Sequence, residues 1–422
     1  FKQKTAYEIG VRLVGSEMCI RDRSSADVSI DGQITVTGNA YRGARYRNSC
    51  GTRVLRVKDP TNYRSILSCT NNTQLTKSYL TPWNNMIKVS VPTVAVPPIS
   101  SFAVGSSNAF YNRADLRLDL KLNSSGNPNT SESTTGVVIN HSSGFKDTTS
   151  TDKLQNLTLS PTASRCTGSI SGRAIGSSTF FNSRENKTIR VLDVDLEALF
   201  NCIKRQPTIV GGKLLSDTTD GGLVIHMTVS GNNSSGINNY GVRIKNGTQI
   251  RSADSGAPAI KGVTIVTDQP LYVWGNFNST SKKPVALLTD ALNLLSNNFS
   301  DGTAPGSRTV TGNMTVNAAL VSGTVEGIGD DGSGDIDSAG LMTFPNLHED
   351  WTNRTLTIAG SMVSIGTSTH VNQQLRVGMP YYLPPTRAWS YDTSFNNVAN
   401  LPPMSLQLVY LKEELFIRDF SQ

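Results

Sequence analysis

Short apolar alternations bounded by turn-forming residues recur along this chain, and they constrain its fold more than any other feature. They have the period of two that is typical of half-buried β-strands, with Gly, Asn, Ser and Asp between them. The clearest lie at 26–41, 222–231, 241–250, 261–277, 314–325 and 354–365. Several read as strand, turn, strand units without a helix. The sequence therefore predicts a mainly β fold, which is a sandwich, a barrel or a stacked β-solenoid.

The C-terminal half favours the β-solenoid, or β-helix-like, alternative. Strand pairs at 263–277, 285–295, 314–325 and 355–365 recur at intervals of roughly 20 to 40 residues, the period at which stacked coils bury a shared core. No strict repeat motif is visible. Residues 284–299 also fit helical spacing through Leu288, Leu292 and Leu295, but we predict a strand there.

One short helix is predicted at 192–206. Acidic residues at its start and basic residues near its end complement the helix dipole, and a proline follows it. These residues are Asp193, Asp195 and Glu197, then Lys204 and Arg205, then Pro207.

The predicted organisation is a β-rich N-terminal region at 24–122, a linker or loop at 123–151 and a β-solenoid-like domain at 152–422. The linker is rich in Ser, Thr and Asn. The Pro- and aromatic-rich stretch at 379–395 is expected to cap the core rather than extend a sheet.

The first 23 residues, Phe1 to Arg23, resemble translated sequencing adapter. Lys2–Ile9 and Arg12–Arg23 match two adapter segments in order and in one frame, so we leave 1–23 out of the fold prediction. The segment holds five basic and three acidic residues, and without it the formal net charge falls from +7 to +5. That mild excess is not a nucleic-acid footprint.

Composition favours an exported protein. Only 17% of the residues are charged, and 37% are hydrophobic. Outside the adapter-like segment, four cysteines fit two disulfides of an oxidising compartment, with three pairings open, or free buried thiols. They are Cys50, Cys69, Cys166 and Cys202. The sequence contains no run of about 18 apolar residues, so it does not predict a membrane-spanning helix.

Two motifs suggest chemistry but are better explained as turns. RSADSGAP at 251–258 resembles the nucleophile motif of trypsin-like proteases, but His141 and His226 lack the surrounding residues of a catalytic base. GDDGSGDIDSAG at 329–340 alternates oxygen side chains like a calcium loop, without the glycine and closing glutamate of an EF-hand. The alternating residues are Asp331, Ser333, Asp335 and Asp337.

Basic and acidic clusters also have ordinary explanations. The segment 41–64 interleaves arginines with tyrosines, which suits phosphate or acidic polysaccharide, but alternate arginines on strands would simply face solvent. The three acidic residues near the predicted helix start complement its dipole better than they form a glycosidase pair. His226, His348 and His370 are isolated in the sequence. We therefore predict no catalytic, cofactor-binding or metal-binding residue.

The chain resembles a group of bacterial envelope proteins related to type IV pilus assembly factors of the minor-pilin kind, over roughly 180–420. The resemblance rests on an ordered series of segments rather than on one motif. The segments are 180–199, GVTIVTDQPLYVWGNFNSTSKKPVALLTDALNLLSNN at 262–298, TVNAALVSGTV, FPNLHEDW at 344–351, RTLTIAGSMV and YYLPPTRAWSYDTSF. It implies a pilin-type N-terminal membrane helix followed by an exported β-rich domain, and it carries no catalytic residues.

The expected function is a non-enzymatic envelope or surface protein of pilus or secretion assembly, or of adhesion. Its expected partners are other pilus or envelope components and surface polysaccharide, with no nucleic acid, and it would touch the membrane only through the missing N-terminal helix. The alternative is a secreted β-helix protein that binds or cleaves polysaccharide. A cleaving enzyme needs two carboxylates about 5 to 10 Å apart in an open cleft.

Overall fold

A computed structural model describes a chain made mainly of β-strands. The described residues are 18–19, 28–31, 33–35, 40–42, 55–58, 62–66, 73–74, 76–84, 86–89, 97–105, 107–131, 133, 135–140, 173–231, 240–325, 327–328, 336–337, 344–371, 375–376 and 380–405.

The strands before the longest helix are β1 (Met18–Cys19), β2 (Val28–Asp31), β3 (Ile34–Thr35), β4 (Ala40–Arg42), β5 (Leu55–Lys58), β6 (Tyr63–Ile66), β7 (Thr73–Gln74), β8 (Ile87–Lys88), β9 (Leu116–Lys121), β10 (Val137–Asn140), β11 (Ile175–Asn182) and β12 (Lys187–Asp195). Those after it are β13 (Leu223–Ser230), β14 (Tyr240–Lys245), β15 (Val263–Thr267), β16 (Pro270–Trp274), β17 (Val285–Leu295), β18 (Met314–Val316), β19 (Ala319–Thr324), β20 (Gly327–Ile328), β21 (Ile336–Asp337), β22 (Asn346–Leu347), β23 (Thr355–Thr367), β24 (Leu375–Arg376) and β25 (Thr386–Tyr391).

The α-helices in the described ranges are short. They are α1 (Lys77–Leu80), α2 (Ala109–Asn112) and α3 (Leu196–Arg205). Short 3-10 helices lie at Thr81–Trp83, Ile99–Phe102, Pro207–Val210, Thr219–Gly221, Pro305–Ser307, Thr393–Asn396 and Val398–Asn400.

Most strands pair in parallel with strands from other parts of the chain. The first ladder runs in the order β9, β13, β15, β17, β19, β23. The second ladder runs in the order β12, β14, β16, β17, β22. The third runs β18, β23, β25, β2, β5. Antiparallel strands β10, β11 and β6 flank β9, β12 and β5.

Two long strands connect the ladders. β17 pairs through its first half with β15 and through its second half with β16, and its pairing with β19 has an irregularity between Thr289 and Ala291. β23 joins the third and first ladders in the same way. The ladders together form one large, nearly closed sheet around a continuous apolar core, to which Ile34, Val57 and Trp83 of the N-terminal region also belong.

The prediction of a mainly β fold is confirmed, and each predicted alternating segment from 222 onwards contains at least one strand. Residues Val285–Leu295 form a strand rather than a helix. The predicted 122/123 boundary falls inside the pairing of β9 with β10, because Val137–Asn140 within the predicted linker hydrogen-bonds to Arg117–Leu120.

Two predictions need correction. The helix predicted at 192–206 begins at Leu196, because Lys187–Asp195 is a strand whose alternation continues to the N-cap residue Asp195. The stretch at 379–395 does extend the sheet through Thr386–Tyr391. Its three prolines, Pro380, Pro384 and Pro385, precede the strand, where a missing N–H does not interrupt the ladder.

Candidate functional site

Polar side chains on the outer side of the first ladder form the candidate site. Parallel strands in register place equivalent side chains side by side, about 4.8 Å apart. Thr228 pairs with Asp119, and Asp268 and Asp290 each lie two residues beyond the last paired positions of β15 and β17. We call the titratable members of this group the carboxylate row: Asp119, Asp268, Asp290, His226 and His370.

Asp119 lies at one end of the carboxylate row and is neutralised locally. Its Oδ2 is 2.6 Å from Nζ of Lys121, and its Oδ1 accepts a 2.8 Å hydrogen bond from Ser230 Oγ. Both partners are half-buried at the surface. This end of the row is therefore an ion pair in contact with solvent.

His226 and Asp268 form the centre of the row. His226 is fully buried, and its Nε2 lies 2.7 Å from the carbonyl oxygen of Phe102, so Nε2 carries the proton and Nδ1 is an acceptor. Within the described residues Nδ1 has no hydrogen-bond partner. Asp268 is half-buried and accepts a 2.7 Å hydrogen bond from Thr228 Oγ1.

Burial shifts the pKa of each of these two groups in the direction that favours its neutral form. It raises the pKa of Asp268, although the Thr228 hydrogen bond and the charges of His226 and His370 oppose the rise. It lowers the pKa of His226, against the Phe102 hydrogen bond and the Asp268 charge. Low solvent exposure thus disfavours the charged form of each group.

Asp290 is sealed by the loop that follows β23. Its side chain is 0% exposed and accepts hydrogen bonds from Thr369 N at 2.6 Å, Thr369 Oγ1 at 2.8 Å, His370 N at 3.0 Å and Ser368 Oγ. Burial alone would raise the pKa of Asp290, but the hydrogen bonds from His370, Ser368 and Thr369 together lower it. Burial would lower the pKa of His370, and Asp290 raises it.

The row therefore separates two neighbouring carboxyl groups into a raised and a lowered pKa, which is how acid and base roles are divided in enzymes. A glycosidase, however, needs both carboxyl groups in contact with the substrate. Of Asp268 and Asp290, only Asp268 reaches solvent, because Asp290 is covered and its oxygens are occupied. As it stands, this geometry fits hydrogen-bond recognition better than bond cleavage.

A second polar cluster lies on the outer side of the second ladder, and its central ion pair is buried. Arg243 donates from Nε to Asp193 Oδ1 at 2.7 Å and from Nη1 to Asp301 Oδ1 at 2.6 Å. The guanidinium stacks over Trp274, 4.9 Å from its centroid. The side chains of Arg243 and Asp193 are each 2% exposed. Arg243 is thus held by charge and by stacking.

The hairpin of β11 and β12 ends in a buried turn, 182–185, which we call the hairpin tip. Arg184 is fully buried and donates from Nε to Arg376 O at 2.9 Å and from Nη1 to Leu347 O at 3.2 Å. Glu185 accepts from Asn182 Nδ2 at 2.6 Å. A charged turn is thus seated against two distant segments of the chain.

The structure assigns different roles to the three acidic residues near the helix start. Asp195 is the N-cap, accepting from Ala198 N at 3.0 Å, and Glu197 lies in the first turn, as predicted. Asp193 is the exception. It lies in β12 and pairs with Arg243, because the strand continues through the predicted helix start.

The histidines, which are isolated in the sequence, have polar partners from distant segments in the fold. Nδ1 of His370 lies 3.6 Å from Asp290 Oδ1, and Nε2 of His226 lies 2.7 Å from the carbonyl oxygen of Phe102. His348 lies beside Tyr272 of the second ladder, and its Nε2 is 2.9 Å from Asn293 Oδ1.

The RSADSGAP segment is a loop tied to α3. Arg205 forms two 2.6 Å hydrogen bonds with Asp254, and Asn201 Oδ1 accepts from Ser252 Oγ at 2.8 Å. Ser255 is exposed, and the imidazole of His226 instead contacts Phe102 and Tyr111.

Several predicted candidates lie outside the described residues: Cys50, Cys69, Cys166, His141, Arg45, Arg47, Arg53, Asp331, Ser333 and Asp335. Only the backbone of Asp337 is described, in β21. Cys202 is disulfide-bonded, and its partner is outside the described side chains.

A repeated signal in the sequence could have located the carboxylate row. VTIVTD at 263–268 and VALLTD at 285–290 each end an apolar strand with Thr-Asp, and the structure pairs these two segments in register. His226 and His370 have no such local signal.

Comparison with known proteins identifies no relative: no protein family, curated protein or solved structure matches the chain. Within the described ranges, no group of three or more His, Cys, Asp or Glu residues is arranged to hold a metal ion. None of the helices in these ranges combines the length and apolar character needed to cross a membrane.

Proposed function

We propose that the chain is a parallel β-solenoid and serves as a non-enzymatic structural or adhesive protein of a Gram-negative cell envelope. The observation that carries this proposal is the set of three parallel ladders around one core. In each ladder, strands from later turns of the chain add in parallel to earlier ones. Such stacking gives a long surface with many equivalent positions, which suits assembly and attachment.

The polar clusters support a structural role. Arg243 is neutralised by Asp193 and Asp301, and Asp290 holds the loop after β23. Groups whose partners are other parts of the same chain stabilise the fold and leave little bonding capacity for a substrate. Low charge content and the resemblance to minor-pilin-like proteins support export, with pilus or other envelope components as partners.

Cell fractionation tests this function. The complete gene, with an epitope tag at its C-terminal end, is expressed in a Gram-negative host that assembles type IV pili. We expect the protein in the envelope or extracellular fraction and degradation of the tag by protease added to intact cells. Retention in the cytoplasmic fraction of cells with intact export would contradict the proposal.

A secreted polysaccharide-binding or polysaccharide-cleaving β-helix protein is the second candidate, and the carboxylate row favours it. Lys121, Ser230 and Asp268 present a basic group, a hydroxyl and a carboxyl along neighbouring strands at the surface. Hydrogen-bond donors and acceptors in such a line suit the hydroxyl groups of a sugar chain.

Affinity electrophoresis on neutral and acidic polysaccharides tests this candidate. If it is correct, one gel retards the protein, Asp268→Asn loses at least tenfold in affinity, and Asp220→Asn, a change in an exposed ion pair, does not. Release of reducing ends by the wild type but not by Asp268→Asn would show cleavage. No retardation on any of the gels contradicts the candidate.

A further inference from the structure

The hairpin tip is unusual because turns normally lie in solvent, where their backbone groups are hydrated. Asn182, Arg184 and Glu185 are 0%, 0% and 4% exposed. Asn182 Oδ1 accepts from the backbone N–H groups of Arg184 and Glu185 at 3.1 and 3.2 Å. Its side chain therefore replaces the water that would otherwise cap this turn.

The tip is docked on three separate parts of the chain. The guanidinium of Arg184 lies over the ring of Tyr382, 4.5 Å from its centroid. The backbone carbonyl of Arg184 accepts from Arg376 N at 3.0 Å. Asn182 Nδ2 lies 3.1 Å from the hydroxyl of Tyr272 in β16. Opening the tip would break all of these contacts together.

Glu185 is the titratable group at the centre of this contact. Burial raises the pKa of its carboxyl to about 7. The charge of Lys187, the hydroxyl of Tyr272 and the charge of Arg184 oppose the rise, and the charge of Asp290 adds to it. Its Oε1 is 2.6 Å from Asn182 Nδ2 and 3.4 Å from Tyr272 Oη. These polar contacts do not cancel the rise in pKa that burial causes.

We propose that the hairpin tip is a proton-dependent latch, seated on the outer side of the second ladder when Glu185 is protonated and loosened when Glu185 loses its proton to solvent. Opening would uncover Tyr272, Asn293 and His348, which are otherwise 0 to 3% exposed. These three side chains would then become accessible from outside, and their accessibility would follow the pH around the protein.

Proton linkage gives the direction in which pH changes the opening of the tip. In an opened tip the carboxyl regains a pKa near its ordinary value of 4.5, while in the seated tip it is about 7. Between these values the seated state binds more protons, so the opening constant rises with pH by up to about tenfold per unit. It is lowest below pH 4.5 and levels off above pH 7.

Hydrogen–deuterium exchange measures this opening directly. The amide of Arg376 reports on the seated tip, because it donates to the backbone carbonyl of Arg184 across the contact. After correction for intrinsic exchange rates, we expect its protection in the wild type to fall between pH 5 and 7 and then to level off. Glu185→Gln should remove this dependence and keep the amide protected.

Two further variants make the test specific. Lys187→Met removes the largest influence that opposes the rise, so the levelling-off should move to higher pH. Asp268→Asn removes another carboxyl with a raised pKa, in the carboxylate row, and should leave the response of the tip unchanged. If Glu185→Gln does not fold, the shift in Lys187→Met still decides. Protection that does not change with pH in the wild type, or a Lys187→Met profile identical to that of the wild type, would overturn the proposal.

Discussion

The carboxylate row and the polar groups on the outer side of the second ladder belong to the same sheet, but they handle charge differently. On the second ladder, Arg243 and Asp193 are each 2% exposed and hydrogen-bonded to each other. In the row, Asp119 and Lys121 are 10% and 34% exposed, and Asp268 reaches solvent. The same strand geometry thus yields a buried Arg243–Asp193 ion pair where β11 covers it, and a partly solvated Asp119–Lys121 pair at the end of the row.

The two regions differ in how far their ion pairs are shielded from water. In a shielded ion pair, removing one member is costly because it leaves a buried charge that nothing neutralises. An ion pair in contact with water loses little when it is broken, because solvent replaces the partner. The two regions should therefore respond very differently to equivalent substitutions.

The largest effect is expected for Arg243→Met. It leaves Asp193 buried without its cation and should lower the free energy of unfolding by about 3–5 kcal/mol. Chemical denaturation measures the loss. The double variant Arg243→Met with Asp193→Leu should recover most of it, and a double variant as unstable as the single one would contradict the assignment.

Asp290→Asn should cost less, about 2 kcal/mol, although its carboxylate is as deeply buried. The amide keeps one oxygen for the donors of Ser368 and Thr369 but loses the charge that strengthens these bonds. Thermal unfolding checks this, with Asp220→Asn, in an exposed ion pair, as the control. A loss no larger than that of the control would show that Asp290 does not hold the loop.

The two regions should also respond to pH in opposite directions through their histidines. Burial, with the nearby charges of Arg184 and Arg308, holds the pKa of His348 well below its ordinary value, so the unfolded chain takes up its proton first and stability falls as pH drops below about 6.5. The pKa of His370 is raised mainly by Asp290, against burial, so its contribution is present at low pH and is lost as pH rises through the raised value.

Urea denaturation at pH 5 and pH 8 separates these contributions. His348→Gln should be less damaging, relative to the wild type, at pH 5 than at pH 8. His370→Gln should be more damaging at pH 5 than at pH 8. Parallel changes in the two variants would remove the contrast between the regions.

The smallest effect is expected for Lys121→Met. Its ion pair with Asp119 is partly solvated, and such pairs contribute about 0.5 kcal/mol. Denaturation in low and high salt measures it, and the difference from the wild type should shrink as salt is added. A loss comparable to that of Arg243→Met would show that this end of the row is also sealed.

The strands were predictable because one face of each strand is apolar, and this alternation is local. VTIVT and VALLT were readable as strands, and their Thr-Asp endings carried a repeat that pairs them. Asp195 and Glu197 were readable as helix-start residues for the same reason. The sequence did not distinguish Asp193 from them, because only the pairing of β12 with β14 places Arg243 beside it.

The clusters themselves depend on contacts between segments that are distant along the chain. Neither the seating of Arg184 against Leu347 and Arg376 nor the proximity of Asp290 to His370 leaves a periodic signal in the sequence. A charged hairpin turn such as 182–185 is ordinarily exposed, so burial of this one could not be inferred from its residues.

The distance between the two ends of the first ladder tests the proposed solenoid most directly. Spin labels introduced through non-natural amino acids at Lys121 in β9 and Thr367 in β23 are separated by five strand steps. At about 4.8 Å per step, a stacked solenoid predicts a backbone separation of about 24 Å by pulsed electron paramagnetic resonance. A separation below about 15 Å, which a closed barrel would give by bringing its first and last strands together, would contradict the account.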